Sequence, residues 1–219
     1  MKINHLIMCV LFIAVSSFVA TGQAVSETAK VGKLPKYEEL LAKVQGGDTK
    51  IDYKALRIGY SQSKDADPFG SDRDLRGTMN KALADKNYKD AIKSAEAILK
   101  DTYVNPYAHL AEAIAYNELK DSGKYEFHKA VYLGLINSIL DGADGKTPET
   151  AYTVISTEEE YAVMQALKYQ VSGQSLNHKG EHTFDVLHGV DSASGAKVDV
   201  WFNIDIVWAM ENKMFNPKN

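Results

Sequence analysis

The chain has 219 residues with 25 basic and 29 acidic side chains, and its formal net charge at pH 7 is −4. No run of Lys and Arg would supply the concentrated basic face that a phosphate backbone requires, so we expect no nucleic-acid partner. Cys9 is the single cysteine and lies in an apolar run near the start. We therefore expect neither disulfides nor cysteine metal sites in the rest of the chain.

Residues 1–24 have the pattern of a secretory signal peptide. Lys2 precedes an apolar run at residues 6–15, and small residues near position 24 offer cleavage sites. Ser16 and Ser17 interrupt the run before it reaches the about 20 residues that a transmembrane helix needs. An uncleaved amino-terminal anchor is the alternative. The pattern predicts a periplasmic or secreted protein with no integral membrane span after cleavage.

Residues 25–145 are predicted to be helical. Apolar residues recur three and four positions apart, and the segments are separated by polar breaks or by an Asn-Pro pair. The predicted helices are two short ones at 34–45 and 51–63, followed by four longer ones at 74–87, 88–102, 105–121 and 124–140.

The segment at residues 87–116 resembles a tetratricopeptide repeat. The match to the second helix of that repeat rests on Tyr88, Ala91, Ala95 and Ile98. Small residues at two of these positions would let antiparallel helices approach closely. Because a free-standing array needs roughly three or more repeats and this segment covers about one and a half, we expect another element to cover its open side.

Residues 146–219 are predicted to mix strands and helices. A strand at 151–156 and a helix at 156–169 come first, and Ser156 with Glu159 can form a capping box. Three strands at 170–176, 181–191 and 197–205 and a short helix at 206–215 follow. The predicted fold class is α+β, in which a repeat-like antiparallel helical layer precedes a small antiparallel β-sheet with one or two helices. We expect both regions to pack as one unit.

The stretch NHKGEHTFDVLHGVD (177–191) contains the residue types that bind transition metals or move protons. His178 and His182 flank the predicted turn at Lys179-Gly180, so they could approach each other. His188 would lie roughly 20 Å from His182 along the strand, too far to share one ion. Asp185 lies between them in the sequence. A hydrolase or metal-dependent enzyme that uses this hairpin is one hypothesis, although no metal, cofactor or catalytic residue is predicted.

Two further features have competing interpretations. The acidic run at residues 158–160 begins a predicted helix, where the helix dipole favours negative charge, so capping explains it without a function. Trp201 lies on the strand face opposite the valines. It could stack on a sugar, or it could be covered by the terminal helix that carries Trp208.

Five blocks along the chain resemble those of one family. They are DYKALR at 52–57 with Tyr60, NYKDAI at 87–92, AYTVISTEEEY at 151–161, GQSL with FDVL at 173–187, and VWFNID at 200–205. Together they resemble the domain of unknown function 4919 family over about residues 35–215. The resemblance implies an exported bacterial protein, mostly of the Bacteroidetes type, with a single recurrent architecture. It implies no activity and no catalytic residues.

The sequence favours a non-enzymatic binding or scaffold module over an enzyme. Its expected partner is another exported or cell-envelope protein. The alternatives are an enzyme that uses the histidine-rich hairpin and glycan binding through exposed aromatic residues. The candidate binding residues are Arg57, Tyr60, His178, His182, Asp185 and Trp201.

Overall fold

The computed structural model describes residues 36–68 and 73–215, with side chains to residue 212. These residues belong to one compact unit, Pro35–Asn219. The signal peptide predicted at residues 1–24 lies outside the described residues. None of the described helices is long and apolar enough to cross a membrane.

All six helices predicted in the first region are present. Asp52, Asn87, Asn105 and Asp121 each precede a helix, and each side chain accepts a hydrogen bond from a backbone N–H of the first turn. Such caps satisfy donors that would otherwise be unpaired, so they fix where these helices begin. The helices are α1 (Tyr37–Gln45), α2 (Tyr53–Ser61), α3 (Arg73–Ala84), α4 (Tyr88–Asp101), α5 (Pro106–Glu118) and α6 (Ser122–Leu140).

Helices α3, α4, α5 and α6 pack each against the next along the chain. Short connections between consecutive helices favour antiparallel neighbours. The positions at which these helices meet are small, since Ala91, Ala95, Ala108 and Ala111 are all buried. Leu99 and Met79 add larger apolar groups to this layer. The tetratricopeptide resemblance itself stays a prediction.

The second region, as far as the structure describes it, contains a four-stranded sheet, two α-helices and a short 3-10 helix at Pro148–Thr150. The elements are β1 (Tyr152–Thr153), α7 (Thr157–Ala166), β2 (Tyr169–Lys179), β3 (His182–Asp191), β4 (Lys197–Asn203) and α8 (Asp205–Phe215). The strand order is β1-β4-β3-β2. Val200, Phe202 and Ile204 point into the core while Asp199 is exposed, so the predicted alternation is correct.

The strand predicted at 151–156 is shorter than expected, and β1 pairs with β4 in parallel. The other strand pairs are antiparallel, as predicted. Val154 N still donates to Asn203 O of β4. Ile155 N donates instead to the side chain of Glu159 (2.9 Å), so the ladder ends at this residue. The chain therefore leaves the sheet to begin α7.

The inner face of the sheet packs against helices from both regions. One core cluster joins Ile139 of α6 and Met164 of α7 to Leu187 and Phe202 of the sheet. A second joins α1, α2 and α6 and includes Ile155. The α+β class, with a helical layer followed by a small sheet, is thus confirmed.

Candidate functional site

The hairpin histidines lie apart from one another, and each has its own partner. Nδ1 of His182 lies 2.6 Å from Oδ2 of Asp205, and Nδ1 of His188 lies 2.7 Å from Oδ1 of Asp199. His178 contacts the hydroxyl of Thr183 at 3.2 Å. The three rings therefore do not converge on one point.

The first hairpin turn differs from the predicted one. Strand pairing continues to Lys179, which lies opposite His182, and His178 lies opposite Thr183. The turn consists of Gly180 and Glu181, and Gly180 has a φ of 63°. A two-residue turn favours glycine at such a position, so the turn lies one residue later than the sequence suggested.

Arg57 is buried and binds α7 of the second region. Its Nε donates to Oε1 of Glu159 at 2.6 Å, and its Nη2 donates to Oε2 at 2.5 Å. Nη2 also donates to the carbonyl oxygen of Thr153 (3.1 Å). Ser156 caps α7 as predicted, but the Glu159 side chain turns to Arg57 and to Ile155 N instead of completing the capping box. The acidic run lies in the first turn of α7 as predicted, but the capping box is not formed.

Tyr60 is also buried. Its hydroxyl donates to the carbonyl oxygen of Asp65 and accepts from Asp67 N, both at 3.2 Å. Tyr60 borders a cavity of about 10 Å³, which has room for about one water molecule. These contacts fix the loop after α2, and the cavity is too small for an organic ligand.

Asp185 lies beside Glu160, and both are buried. Burial and the nearby Asp185 raise the pKa of Glu160 to about 9, while burial raises the pKa of Asp185. Gln174 donates to Oδ2 of Asp185. The oxygens of Glu160 and Oδ1 of Asp185 have no other hydrogen-bond partner among the described residues, so a proton shared between the carboxyl groups supplies the missing donor.

Trp201 is half-buried, and its ring packs edge to face on Phe184 with the centroids 5.9 Å apart. Trp208 is 43% exposed. Trp201 therefore has an aromatic partner within the chain, and glycan binding through it stays a prediction. Trp201, Arg57, His178 and Asp185 do not line the cavity beside Tyr60, and they do not line the open groove between α4, α5 and α6.

The structure brings together three side chains that the sequence analysis did not select. His109 and Glu112 lie on α5, and His128 lies on α6. Nδ1 of His128 is 3.2 Å from Nδ1 of His109 and 2.8 Å from Oε2 of Glu112. One potential ligand atom from each residue lies within 4.8 Å of the others, and no second such group occurs in the part of the chain that the structure describes. We call these residues the His-Glu-His cluster.

A sequence signal exists for two of the three residues of this cluster. His109 and Glu112 are three residues apart on one helix, a spacing that puts two side chains on the same face. His128 has no fixed relation to them in the sequence, because it comes from the next helix. The packing of α5 against α6 therefore completes the cluster.

The protonation of His109 follows from its hydrogen bonds. Nε2 lies 2.9 Å from the carbonyl oxygen of Tyr103. A carbonyl oxygen only accepts, so Nε2 carries the hydrogen and Nδ1 presents a lone pair to His128. Burial and the neighbouring His128 lower the pKa of His109 to about 3, which keeps its ring neutral near pH 7.

Glu112 is 2% exposed, and no hydrogen-bond donor among the described residues is aligned with its Oε2. The 2.8 Å approach to His128 is close, yet its direction is not that of a hydrogen bond. Such a carboxylate oxygen is one that a cation could bind.

Aromatic rings enclose both imidazoles. The ring of Tyr116 stacks on His128 at 5.6 Å, and Phe127 meets the same ring edge to face at 4.9 Å. Tyr103 packs edge to face on His109 at 5.0 Å. These contacts restrict rotation of the imidazoles and keep their nitrogens directed at each other.

The cluster borders an open groove of about 550 Å³, which we call the helical groove. The turn after α1, the outer face of α4 and the facing sides of α5 and α6 form its walls. Lys100 and Glu96 on its rim are exposed, and so is Lys124, which donates to the hydroxyl of Tyr116 at 3.2 Å. The lining residues are Gln45, Gly46, Gly47, Glu96, Leu99, Lys100, Tyr103, Glu112, Tyr116, Lys124, Phe127 and His128.

Comparison with known proteins gives one match. The sequence model of a family described as a domain of unknown function (DUF4919) matches residues 33–213. This range contains the whole helical groove and the His-Glu-His cluster. No curated protein and no solved structure matches the chain.

Proposed function

We propose that this chain, which belongs to the DUF4919 family that its sequence blocks predicted, is an exported binding module for a peptide segment of another exported or cell-envelope protein. The observation that carries the proposal is the helical groove. Export is proposed from the signal-peptide pattern at residues 1–24.

The chemistry of the groove favours a peptide. Its volume of about 550 Å³ is in the range of ligand sites, about 300–1,000 Å³. Aromatic walls formed by Tyr103, Tyr116 and Phe127 are of the kind enriched at protein interfaces. The groove is open, and its rim carries charges of both signs. An extended peptide offers apolar side chains for such walls and polar groups for such a rim.

The rim also suggests what the peptide carries. Lys100 and Lys124 outnumber Glu96 among the exposed charged residues of the groove. A complementary peptide would place an apolar or aromatic residue against Phe127 and an acidic residue beside the lysines. The hairpin histidines and Trp201 support binding less well, because each already has a partner within the chain.

A random-peptide library displayed on phage tests the proposal. Peptides selected on the wild-type protein would be synthesised, and their affinity measured by fluorescence polarisation. We expect Phe127→Ala to weaken binding at least tenfold, because buried aromatic anchors dominate binding energy at interfaces. The double charge reversal Lys100→Glu and Lys124→Glu should weaken the binding of acidic peptides by a similar factor.

Lys197→Glu is the matched control, since Lys197 is exposed on β4 and does not line the groove. It reverses one lysine, as each of the two groove substitutions does, and should leave the affinity unaltered. Circular dichroism would show that all variants are folded. Selected peptides that bind the groove variants and the control equally well would refute the proposal, and so would a library that yields no binder.

A further inference from the structure

We infer that His109, Glu112 and His128 form a binding site for a divalent transition-metal ion, with Zn²⁺ as the ion that suits these ligands. Two imidazoles and one carboxylate are a ligand set that zinc takes in proteins, and they leave a fourth position for water or another ligand. Glu112 and His128 line the helical groove, so the cluster lies at the wall of the groove.

The spacing of the ligand atoms fits a small ion. Bonds of about 2.0–2.1 Å in tetrahedral geometry separate ligand atoms by about 3.3 Å. The two Nδ1 atoms of His109 and His128 are 3.2 Å apart. Oε2 of Glu112 is 2.8 Å from His128, so this oxygen has to withdraw by about 0.5 Å to admit the ion.

The surroundings of the ligands are those of a prepared site. A metal-binding histidine usually donates its second N–H to a carbonyl or carboxylate, which orients the ring. His109 does this with the carbonyl oxygen of Tyr103 at 2.9 Å. Buried carboxylate oxygens normally have a partner, and Oε2 of Glu112 has none aligned among the described residues. A bound ion would satisfy it.

The competing explanation is a hydrogen-bonded cluster that only joins α5 to α6. Nδ1 of His128 would then donate its hydrogen to Nδ1 of His109, and no ion would bind. Metal binding at the cluster requires no peptide in the groove. Failure of either proposal would therefore leave the other standing.

Zinc titration of the metal-free protein tests the inference. The purified full chain would be treated with EDTA, dialysed and titrated with zinc chloride by calorimetry, and bound zinc would be counted by mass spectrometry. We expect one ion per chain. Cobalt(II), used as a second probe, should show the visible absorption of a four-coordinate site, a signal that a purely structural cluster would not produce.

Two variants remove ligands while keeping size. His128→Phe retains a ring between Tyr116 and Phe127, and Glu112→Gln retains the shape of the side chain. Loss of a residue that only hydrogen-bonds to a metal ligand weakens metal binding about 10–100-fold. Loss of a ligand itself should weaken zinc binding by more than this. His182→Ala is the matched control, because its ring is exposed and lies in the hairpin.

Three outcomes would overturn the inference. They are the absence of stoichiometric zinc in the wild type, retention of affinity in both ligand variants, and loss of affinity in His182→Ala alone. If His128→Phe fails to fold by circular dichroism, Glu112→Gln decides, since its change is a single atom. Loss of zinc in the ligand variants with retention in His182→Ala would establish the site.

Discussion

At the scale of single residues, the buried carboxylates at the start of α7 connect this helix to α2, α3 and β3. Successive residues on a helix point about 100° apart, so Glu158, Glu159 and Glu160 meet three different neighbours. Glu158 binds an arginine of α3, Glu159 binds Arg57, and Glu160 faces Asp185. A buried carboxyl group needs a cation, donors or a proton. The first two have cations, and the third retains its proton.

The proton on Glu160 predicts a pH dependence of stability. The pKa of its carboxyl is about 9 in the folded chain against an ordinary value of 4.5, so the folded state binds more protons between these values. The contribution is fully present below pH 4.5 and is lost as the pH rises through about 9. Between these pH values the unfolding free energy of the wild type should therefore decline by on the order of 1 kcal/mol per pH unit through this group. Glu160→Gln should remove this decline.

Urea unfolding from pH 5 to 9 would measure this difference. The variant should become more stable relative to wild type as the pH rises, because a neutral amide replaces a group that must otherwise ionise while buried. Glu118→Gln, at an exposed position of α5, is the control and should leave the pH slope unchanged. Identical slopes in wild type and Glu160→Gln would mean that Glu160 is ionised when folded.

At the scale of elements, the close packing of α6 on α2 depends on a glycine, which has no side chain. Gly134 lies in the middle of α6, against the ring of Tyr53 at the start of α2. A Cβ at this position would overlap the ring. Leu135, next to Gly134, and Leu56, on the same helix as Tyr53, are buried in one core cluster with that ring. The ring cannot move away without displacing that core.

Gly134→Ala should destabilise the protein by about 1–3 kcal/mol through overpacking, despite a gain in helix propensity of about 1 kcal/mol. Gly77→Ala in α3 is the matched control, because nothing lies within 4 Å of its added Cβ. It should stabilise by up to about 1 kcal/mol. Urea denaturation of both variants checks the opposite signs. Equal effects would mean that α2 and α6 can separate without cost.

At the scale of the whole molecule, the predicted regions 25–145 and 146–219 share their interior. Ile155 follows β1 but packs with α1, α2 and α6. Ile139 of α6 packs with the sheet. The ion pair of Arg57 with Glu159 joins α2 to α7, and both side chains are at most 3% exposed. Neither region therefore has a complete core without the other.

A single cooperative unfolding transition is expected as a result. The calorimetric and van't Hoff enthalpies should agree, and helical and aromatic signals should change together. Glu159→Gln should lower the unfolding free energy by about 3–5 kcal/mol, because it leaves Arg57 buried without its counter-ion. Asp85→Ala, which removes the exposed pair with Lys81, should cost less than about 1 kcal/mol.

Two separate transitions would show that the regions 25–145 and 146–219 are independent domains. A transition in which Glu159→Gln shifts only the helical signal would lead to the same conclusion. Fluorescence of Trp201 and Trp208 reports the sheet region, while far-ultraviolet circular dichroism is dominated by the helices.

The sequence by itself determined the helices, the antiparallel strands, the α+β class and the family. Helix periodicity, the cap at Ser156 and strand alternation at residues 198–204 are local, so they can be read from neighbouring positions. The family match over residues 33–213 confirms the resemblance of the sequence blocks. Boundaries were less well predicted where a tertiary partner intervened, as at β1, where the carboxylate of Glu159 ends the ladder.

Only the tertiary structure decided the candidate site. His109 and Glu112 share a helix face, but His128 reaches them through the packing of α5 on α6, a contact that no local pattern encodes. Likewise, residues 158–160 have the sequence of an exposed helix start, and long-range partners make them buried. The hairpin histidines were prominent in the sequence because they are close along it. Convergence of ligand atoms depends instead on distance in space, which the fold sets.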